Sequence, residues 1–179
     1  GFICVIAILS PYIAPYPYDQ QDLDNVFLSP CLAHPFGTDD LGRDILSRLM
    51  YGGRYSLQIG FVSVAIAAVC GVALGSIAGY FGGKVDMFIM RFLDIFQSIP
   101  SLLMSIAISA TLGPGFTNCI IALSVSSIPA YARMTRASFL NIRGMEYVEA
   151  ARSIKASNGR IIWKHVLPNA MSPIIVQAT

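Results

Sequence analysis

Charged side chains are scarce in this 179-residue sequence. Aspartate, glutamate, lysine and arginine together make up 12% of the residues, whereas hydrophobic residues make up 55%. A soluble globular domain carries about 25% charged residues, so the composition argues against a soluble protein. The few charges lie between long apolar runs, which is the pattern of a chain that crosses a membrane several times. We therefore expect an all-α polytopic membrane protein.

The sequence also lacks the residue patterns of catalytic and metal sites. Its four cysteines show no CxxC spacing, so neither a disulfide framework nor a metal site is indicated. The glycine-rich stretch at 79–84 is not followed by the Ser or Thr of a phosphate-binding loop. His34 lies near Asp39, Asp40 and Asp44, but it precedes a proline in a turn, and the acids are placed as helix caps. We therefore expect no enzyme activity, no bound cofactor and no metal.

Apolar runs and turn residues divide the chain into spans and loops. Because the chain opens and closes within apolar runs, we expect a fragment that lacks the start of the first visible span and the end of the last. Residues 1–10 are predicted to be the end of a first transmembrane helix, and 11–56 an extracytoplasmic loop. The remainder, 57–179, is predicted to be a transmembrane domain with spans at about 57–81, 88–112, 116–132 and 161–179.

A second helix is expected within the long loop, over residues 39–50. Thr38-Asp39-Asp40 would cap this helix, and Leu41, Ile45 and Leu49 would form its apolar face. Asp44 and Arg48 stand in the favourable i, i+4 order of acid before base. The pattern predicts an amphipathic helix that lies along the membrane surface and leads into the next span.

Lysine and arginine are distributed unevenly between the two sides of this topology. Basic loops face the cytoplasm, so we place the polar stretch around residue 150 in the cytoplasm and the long loop outside it. The protein is then a multi-pass protein of the cytoplasmic (inner) membrane. The cytoplasmic set is Lys84, Arg91, Arg133, Arg136, Arg143, Arg152, Lys155, Arg160 and Lys164, and the outer set is Arg43, Arg48 and Arg54 with Asp19, Asp22, Asp24, Asp39, Asp40 and Asp44.

Small residues recur every four positions along the span at 57–81. Ala67, Gly71, Gly75 and Gly79 fall on one helix face. A face of this kind admits another helix at close range. We expect it to pack against a neighbouring span.

Pro100 lies inside the predicted span at 88–112. A proline frees a backbone carbonyl and kinks a helix. The freed carbonyl and the hydroxyls of Ser98 and Ser101 are candidates for lining a polar path through the membrane. A kink that simply packs is the alternative, and the sequence leaves both interpretations open.

A short polar stretch at 145–157 lies between two apolar runs. Tyr147, Ala150, Ala151 and Ile154 recur at i, i+3, i+4 and i+7 and form one apolar face of a helix. A membrane chain has little structural need for an amphipathic helix between two spans. The pattern predicts that another protein binds it, and a solvated charged linker is the alternative.

Three strings in the sequence carry a resemblance to a known family. Glu149-Ala150-Ala151, followed by Leu167-Pro168, looks like the EAA signature of permease subunits in binding-protein-dependent ABC importers. The strings at 34–44 (HPFGTDDLGRD) and 160–169 (RIIWKHVLPN) are similar to the dipeptide, oligopeptide and nickel branch, in its second permease subunit. The resemblance covers nearly the whole chain.

The resemblance implies a type I ABC importer permease bundle that moves peptides by alternating access. The helix at 145–157 would be the coupling helix, which docks in a cleft of a cytoplasmic ATPase subunit. The implied partners are a second homologous permease subunit, two ATPase subunits that hydrolyse ATP, an extracytoplasmic binding protein and the lipid bilayer, with no nucleic acid. The residues expected at the ATPase contact are Tyr147, Glu149, Ala150, Ala151 and Ile154.

One position departs from the family pattern. The family usually has glycine four residues after the second alanine of the signature, where this chain has Lys155. Glycine permits the left-handed turn that ends many helices. Without it, we expect the helix to run on to Asn158-Gly159, which can supply that conformation.

Other functions remain as alternatives. Import of nickel or another small solute is the alternative within the same branch, although uncharged spans around Pro100 and Pro129 suit peptides slightly more. A membrane-embedded hydrolase would need an intramembrane nucleophile or metal set. A membrane anchor or assembly factor would need neither the kinked spans nor the docking helix.

Overall fold

Helices are the regular elements of this chain in the computed structural model. The structure describes residues 2–178, without the side chains of residues 2, 3 and 152. Within that range no strand forms, and Thr38 and Asp44 make an isolated antiparallel bridge. The chain divides into two compact units, residues 1–61 and 62–179, and each is described by itself.

The first unit contains helix α1, Phe2–Ile13, and a loop that includes a short 3-10 turn at Leu23–Asn25. The helix continues past the end predicted at residue 10 and contains Pro11. Pro11 has no N–H, so one backbone hydrogen bond of the helix is not made. The final turn is nevertheless closed, because the backbone N–H of Ala14 donates to the carbonyl oxygen of Ser10 at 3.0 Å.

Helix α2, Ile45–Phe81, is a single helix of 37 residues. The predicted bounds of the amphipathic helix, 39–50, are therefore wrong at both ends, although the helix does lead into the next span as expected. Asp44, rather than Thr38 to Asp40, caps the helix, because its Oδ2 accepts a hydrogen bond from the backbone N–H of Ser47 at 2.7 Å. Residues 39–43 form a turn instead, in which the carboxylate of Asp39 accepts from the backbone N–H groups of Leu41 and Arg43.

The second unit contains the rest of α2 and six further helices among the described residues. Helix α5 extends ten residues beyond the predicted end of its span and contains Pro129. The helices are α3 Gly83–Gln97, α4 Ser101–Leu112, α5 Phe116–Ile142, α6 Glu146–Ser153, α7 Asn158–Ile161 and α8 Leu167–Ala178.

The predicted span at 88–112 is two helices rather than one kinked helix. Helices α3 and α4 are bent by 79° at the break over residues 98–100. Pro100 precedes the first residue of α4, which is the place where a missing N–H costs least. Within residues 2–178, α2 alone is long and apolar enough to cross a membrane, and the bent pair meets the same criterion only as one broken span.

The glycine face of α2 lies against α5. A β-carbon at Gly71 would fall 2.4 Å from Cβ of Tyr131, and one at Gly79 would fall 2.6 Å from Cβ of Phe139. These distances are shorter than a carbon side chain tolerates, so only glycine lets the two backbones approach this closely. Ala67, at the other end of the same face, is fully buried.

A π-helical turn, Ile162–Val166, joins α7 to α8. The backbone N–H of Leu167 donates to the carbonyl oxygen of Ile162, five residues back. Pro168 follows and has no N–H to continue the ordinary α-helical pattern. The side chain of Asn169 donates instead to the carbonyl oxygen of His165 at 2.7 Å, which partners one of the carbonyls in this irregular turn.

The core of the second unit lies where these elements meet the end of α2. Phe139 and Ile142 of α5 pack there with Tyr80 of α2, and the remaining residues come from α6 and from the segment that follows it. The full cluster is Tyr80, Phe139, Ile142, Val148, Ala151, Ile161, Val166, Ala170 and Ile174.

Candidate coupling site

Helix α6 spans Glu146–Ser153, which is shorter than the predicted 145–157. Its acidic residues, Glu146 and Glu149, lie in the first turn, where the positive end of the helix dipole stabilises their negative charges. The backbone N–H groups of Val148 and Glu149 both donate to the carbonyl oxygen of Met145. The helix therefore begins one residue after the predicted start.

The C-terminus of α6 contradicts the expectation drawn from Lys155. The helix does not run on to Asn158-Gly159, because Lys155 itself adopts the left-handed conformation with φ of 55°. The backbone N–H of Ala156 donates to the carbonyl oxygen of Ala151 at 3.2 Å, which is the outer hydrogen bond of a Schellman motif. Lysine thus occupies the position where the family usually has glycine, and the helix ends there all the same.

Ser157-Asn158-Gly159 does not stop α6 but starts α7. The hydroxyl oxygen of Ser157 accepts a hydrogen bond from the backbone N–H of Arg160 at 3.4 Å. This is the arrangement of an N-cap serine. Two helix ends therefore stand within five residues of each other, at Ser153 and Asn158.

The two faces of α6 have different environments. Val148 is fully buried and Ala151 is 6% exposed, and both belong to the core of the second unit. Tyr147, Ala150 and Ile154 are exposed, as is Glu149. The structure therefore separates Ala151 from the other four residues predicted at the partner contact, because Ala151 packs inside its own chain. The predicted apolar face also omitted Val148.

Both flanks of α6 are hydrogen-bonded to the last turn of α2. Arg143 donates from Nη1 to the carbonyl oxygen of Gly79 at 3.2 Å. The hydroxyl of Tyr80 donates to Oδ1 of Asn158 at 2.9 Å. Sequence reasoning missed these residues, since the partners are 64 and 78 positions apart and no local periodicity links them.

Two ion pairs join α3 to α5. Arg136 makes a bidentate pair with Asp86, in which Nη2 donates to Oδ2 at 2.6 Å. Arg133 donates to Asp94 at 2.5 Å. Bidentate arginine–carboxylate pairs fix orientation as well as distance, so the Asp86–Arg136 pair sets how α3 lies along α5.

The residues predicted to line a path lie together at the break between α3 and α4. Ser98, Pro100 and Ser101 are exposed in this chain. The hydroxyl of Ser98 donates to the carbonyl oxygen of Ile95 at 2.7 Å. By contrast, Ser105 and Ser126 are hydrogen-bonded to each other at 2.8 Å across α4 and α5, so these two hydroxyls serve helix packing.

A polar cluster in the first unit attaches the loop to the start of α2. Nδ1 of His34 lies 3.0 Å from Oδ1 of Asp44, and the hydroxyl of Ser47 donates to Oδ2 of Asp44 at 2.7 Å. The ring of Tyr16 stacks on His34 at 4.9 Å between centroids. Arg48 pairs with Asp39 rather than with Asp44, which corrects the predicted i, i+4 pair.

The carboxyl groups of this cluster are held in their ionised forms. Burial opposes ionisation of Asp39, but hydrogen bonds from the backbone of Arg43 and Leu41 and from the side chains of Arg43 and Arg48 lower its pKa to about 2. Burial likewise opposes ionisation of Asp44, and hydrogen bonds from Ser47 and His34 outweigh it, so the pKa of Asp44 lies below its usual value.

Comparison with known proteins places the chain in a transport family. Residues 71–179 match the family described as the binding-protein-dependent transport system inner membrane component. Because this match covers more than half of the chain, the protein belongs to that family. Residues 1–30 match the N-terminal TM domain of oligopeptide transport permease C. The resemblance found in the sequence and the expected all-α permease fold are both confirmed.

Several curated relatives are similar over nearly the whole chain. The dipeptide transport system permease protein DppC of Alkalihalophilus pseudofirmus is 45% identical over 175 residues, which are 98% of this chain and 58% of that relative. The di/tripeptide transport system permease protein DppC of Pseudomonas aeruginosa is 43% identical over 183 residues, covering 99% of this chain and 60% of the relative.

A third relative carries a different substrate in its name. The glutathione transport system permease protein GsiD of Pectobacterium atrosepticum is 39% identical over 175 residues, covering 97% of this chain and 58% of the relative. The chain thus spans 58% to 60% of the length of these three relatives. Their names describe transport permeases and not enzymes.

Proposed function

We propose that this chain is part of a permease subunit that imports short peptides across the bacterial inner membrane. The observation that carries the proposal is the two-sided environment of α6. Val148 and Ala151 anchor the helix to the permease core, while Tyr147, Ala150 and Ile154 remain exposed. A short helix held rigidly on one side and apolar on the other is suited to insertion in a groove of a partner protein.

The partner at α6 is a cytoplasmic ATPase subunit. Ile154 is 80% exposed and Tyr147 is 40% exposed, so a cleft that covers them removes apolar surface from water at about 25 cal/mol per Å². Glu149, exposed beside them, can pair with a basic residue at the rim of the cleft. Two such ATPase subunits and a second homologous permease complete the membrane assembly, and an extracytoplasmic binding protein delivers substrate to the long loop.

The transport cycle is alternating access in a multi-pass helix bundle. ATP draws the two ATPase subunits together and thereby displaces α6, and the bundle responds by opening toward the outside. The residues at the break, Ser98, Pro100 and Ser101, are exposed, and two of them carry hydroxyl groups. These groups are our candidates for lining the path, because a peptide needs hydrogen-bond partners and few fixed charges.

The names of the relatives support short peptides as the substrates. The three relatives described above carry dipeptide, di/tripeptide and glutathione in their names, and glutathione is itself a small peptide. Nickel import is the weaker candidate. A metal ion would need several hard or imidazole ligands along its route, and among the described residues no group of three or more His, Cys, Asp or Glu side chains could hold a metal.

Reconstitution of the complete transporter tests the proposal. Proteoliposomes that contain both permeases, the ATPases and the binding protein should take up labelled dipeptide only when ATP is present on the side of the membrane where the ATPase subunits lie. Omission of this subunit should abolish uptake, and nickel should neither be taken up nor compete. Dipeptide uptake that persists without this subunit contradicts the proposed function.

A further inference from the structure

The coupling segment, defined as residues 143–158, has no direct covalent link to the end of α2, whereas it is directly continuous with α5 and α7. Helix α5 leads into α6 through residues 143–145, and α7 follows it after residues 154–157. Any movement of α6 therefore reaches α5 and α7 through the chain itself. Along the chain, movement reaches α2 only by way of α5, α4 and α3, so the direct route to α2 is through its noncovalent contacts with the coupling segment.

Three contacts of the coupling segment converge on the end of α2. Arg143, before α6, donates to the carbonyl oxygen of Gly79, and Asn158, after α6, accepts from the hydroxyl of Tyr80. Between these two flanks, Val148 and Ala151 pack in the same buried cluster as the Tyr80 ring. Adjacent residues of α2 are thus held from both ends of the coupling segment and from its middle.

The turn after α2 is shaped to admit the Arg143 side chain. A β-carbon at Gly82 would fall 2.7 Å from Nη1 of Arg143, the same nitrogen that donates to Gly79. Gly82 also has φ of 64°, a conformation that side chains rarely adopt. Glycine at this position therefore serves both the turn and the approach of the guanidinium group.

We propose that Tyr80 and Arg143 are positioning residues that transmit displacement of α6 to α2. This inference rests on the proposed function, since α6 is the proposed ATPase contact. Packed clusters rearrange as units and do not deform continuously, so a helix end held at two flanks and a buried centre follows the segment that holds it. The Arg143–Gly79 and Tyr80–Asn158 hydrogen bonds together are called the α2 attachment. Hydrogen bonds depend on direction and apolar packing does not, so the α2 attachment fixes the orientation of α2 relative to the coupling segment.

Replacement of Tyr80 by phenylalanine tests the inference with a matched control elsewhere in the same unit. Tyr80→Phe removes one hydroxyl and keeps the buried ring. Tyr131→Phe is the control, because Tyr131 is also buried and donates one hydrogen bond, at 3.2 Å, to the carbonyl oxygen of Gln177. Both variants are assembled into the complete transporter, and the measurements are thermal stability, retention of the ATPase subunits on purification, and peptide taken up per ATP hydrolysed.

The two variants should have similar thermal stability and should retain the ATPase subunits, yet differ in coupling. We expect Tyr80→Phe to lower the uptake per ATP by roughly fivefold, the factor set by one hydrogen bond of ordinary strength. Tyr131→Phe should leave that ratio near the wild-type value. A ratio for Tyr80→Phe equal to that of Tyr131→Phe overturns the inference.

A second variant shows whether the partner is Asn158. Asn158→Ala should reproduce the coupling loss, and the double variant Tyr80→Phe/Asn158→Ala should lose no more than either single variant, because both remove the same hydrogen bond. Losses that multiply in the double variant mean that the two residues act separately, which overturns the inference.

The failure of this inference is distinguishable from failure of the proposed function. A normal ratio of peptide taken up to ATP hydrolysed in both wild type and Tyr80→Phe rejects only the inference, whereas absence of ATP-dependent uptake by wild type rejects the function. In the latter case amide hydrogen exchange tests whether the Tyr80 hydroxyl holds the coupling segment to α2. Tyr80→Phe should then raise exchange at 155–161 as well as at 76–82, and unchanged exchange at 155–161 overturns it.

Discussion

Gly75 of α2 lies so close to Ala132 of α5 that a β-carbon at Gly75 would fall 2.3 Å from the Ala132 carbonyl oxygen. The nearest obstacle is backbone, which cannot rotate away as the end of a flexible side chain does. The same β-carbon would fall 2.7 Å from Cβ of Thr135. Any side chain at position 75 therefore forces the two helices apart.

Gly75→Ala should destabilise the protein. Overpacking of a filled interface costs about 1–3 kcal/mol, and here the separation of α2 from α5 would also disturb the contacts of Gly71 and Gly79. We expect a lower thermal unfolding temperature and a lower yield of folded protein in detergent. Circular dichroism during heating measures the first, and size-exclusion chromatography measures the second.

Gly52→Ala is the matched control for this change. Gly52 lies in the same helix, is exposed and has nothing within 4 Å of a β-carbon. Alanine is a better helix former than glycine by about 1 kcal/mol, so this variant should be as stable as wild type or slightly more stable. Equal destabilisation by both variants would show that the loss does not arise from the α2–α5 contact.

Lys155→Gly should stabilise the end of α6. A residue other than glycine in the left-handed conformation costs about 1–2 kcal/mol, and glycine removes most of that cost. We expect the free energy of unfolding to rise by about 1 kcal/mol, measured by urea titration in detergent. Lys155→Ala keeps the unfavourable backbone and removes the charge, so it should show no such gain. Equal stability of the two variants would contradict the left-handed turn at Lys155.

Ala150→Arg should separate docking from folding. Ala150 is exposed on α6 and outside the core, so the variant should insert and fold, but its long charged side chain should prevent close approach of the ATPase. We expect loss of the ATPase subunits on co-purification and at least about a tenfold loss of uptake, since one unpaired charge buried at an interface costs more than 1.4 kcal/mol. Ala150→Ser is the control of similar size and should retain both.

Ala151→Arg should behave differently from Ala150→Arg. Ala151 is 6% exposed and packs in the core cluster, where an arginine has no room and no partner for its charge. The expected result is loss of folded protein, measured as aggregation on size-exclusion chromatography. If the Ala151→Arg protein folds and fails only to bind the ATPase, Ala151 belongs to the ATPase contact and not to the core.

Acid should loosen the loop of the first unit. The pKa of Asp39 is about 2 in the folded chain against 3.8 for an ordinary aspartate, and that of Asp44 is also lowered. A depressed folded-state pKa adds stability that is complete above the unfolded value and is lost as the pH falls through the folded value. The loop should therefore resist pepsin at pH 4 and become cleavable as the pH falls toward 2.

The control for the acid experiment is a synthetic peptide of residues 20–44, which corrects for the pH dependence of pepsin. Asp39→Asn should make the loop more sensitive at pH 4 and reduce the change between pH 4 and pH 2, because Asp39 no longer titrates and Asp44 alone still contributes. A steep change retained in this variant would assign the effect to other carboxyl groups.

Periodicity predicted the features that depend on neighbours along one helix. Ala67, Gly71, Gly75 and Gly79 recur with the period of a helix face, and the structure places the three glycines against α5. The amphipathic stretch around residue 150 was predicted as a helix for the same reason and is one. Such patterns require only the geometry of a helix and the separation of apolar from polar groups.

Helix ends and inward-facing positions were predicted less well because tertiary contacts decide them. Three aspartates near residue 40 looked like caps, yet the helix begins only after Asp44, whose carboxylate also lies beside His34. Ala150 and Ala151 are identical residues, and only the packing of α6 on the core determines which one is buried. The Asp86–Arg136 pair, 50 positions apart, leaves no local signal at all.

The π-helical turn determines which side chain of the signature region enters the core. Ile161, Val166, Ala170 and Ile174 are all buried, with a first interval of five residues and later intervals of four. An ordinary α-helix starting at Ile161 would carry position 165 inward and place an imidazole among aliphatic side chains. The wider turn accommodates one extra residue and keeps His165 at the boundary. Deletion of a single residue from 162–165 would leave the valine four positions after Ile161, so an ordinary α-helical turn would replace the π-turn with the valine still in the core.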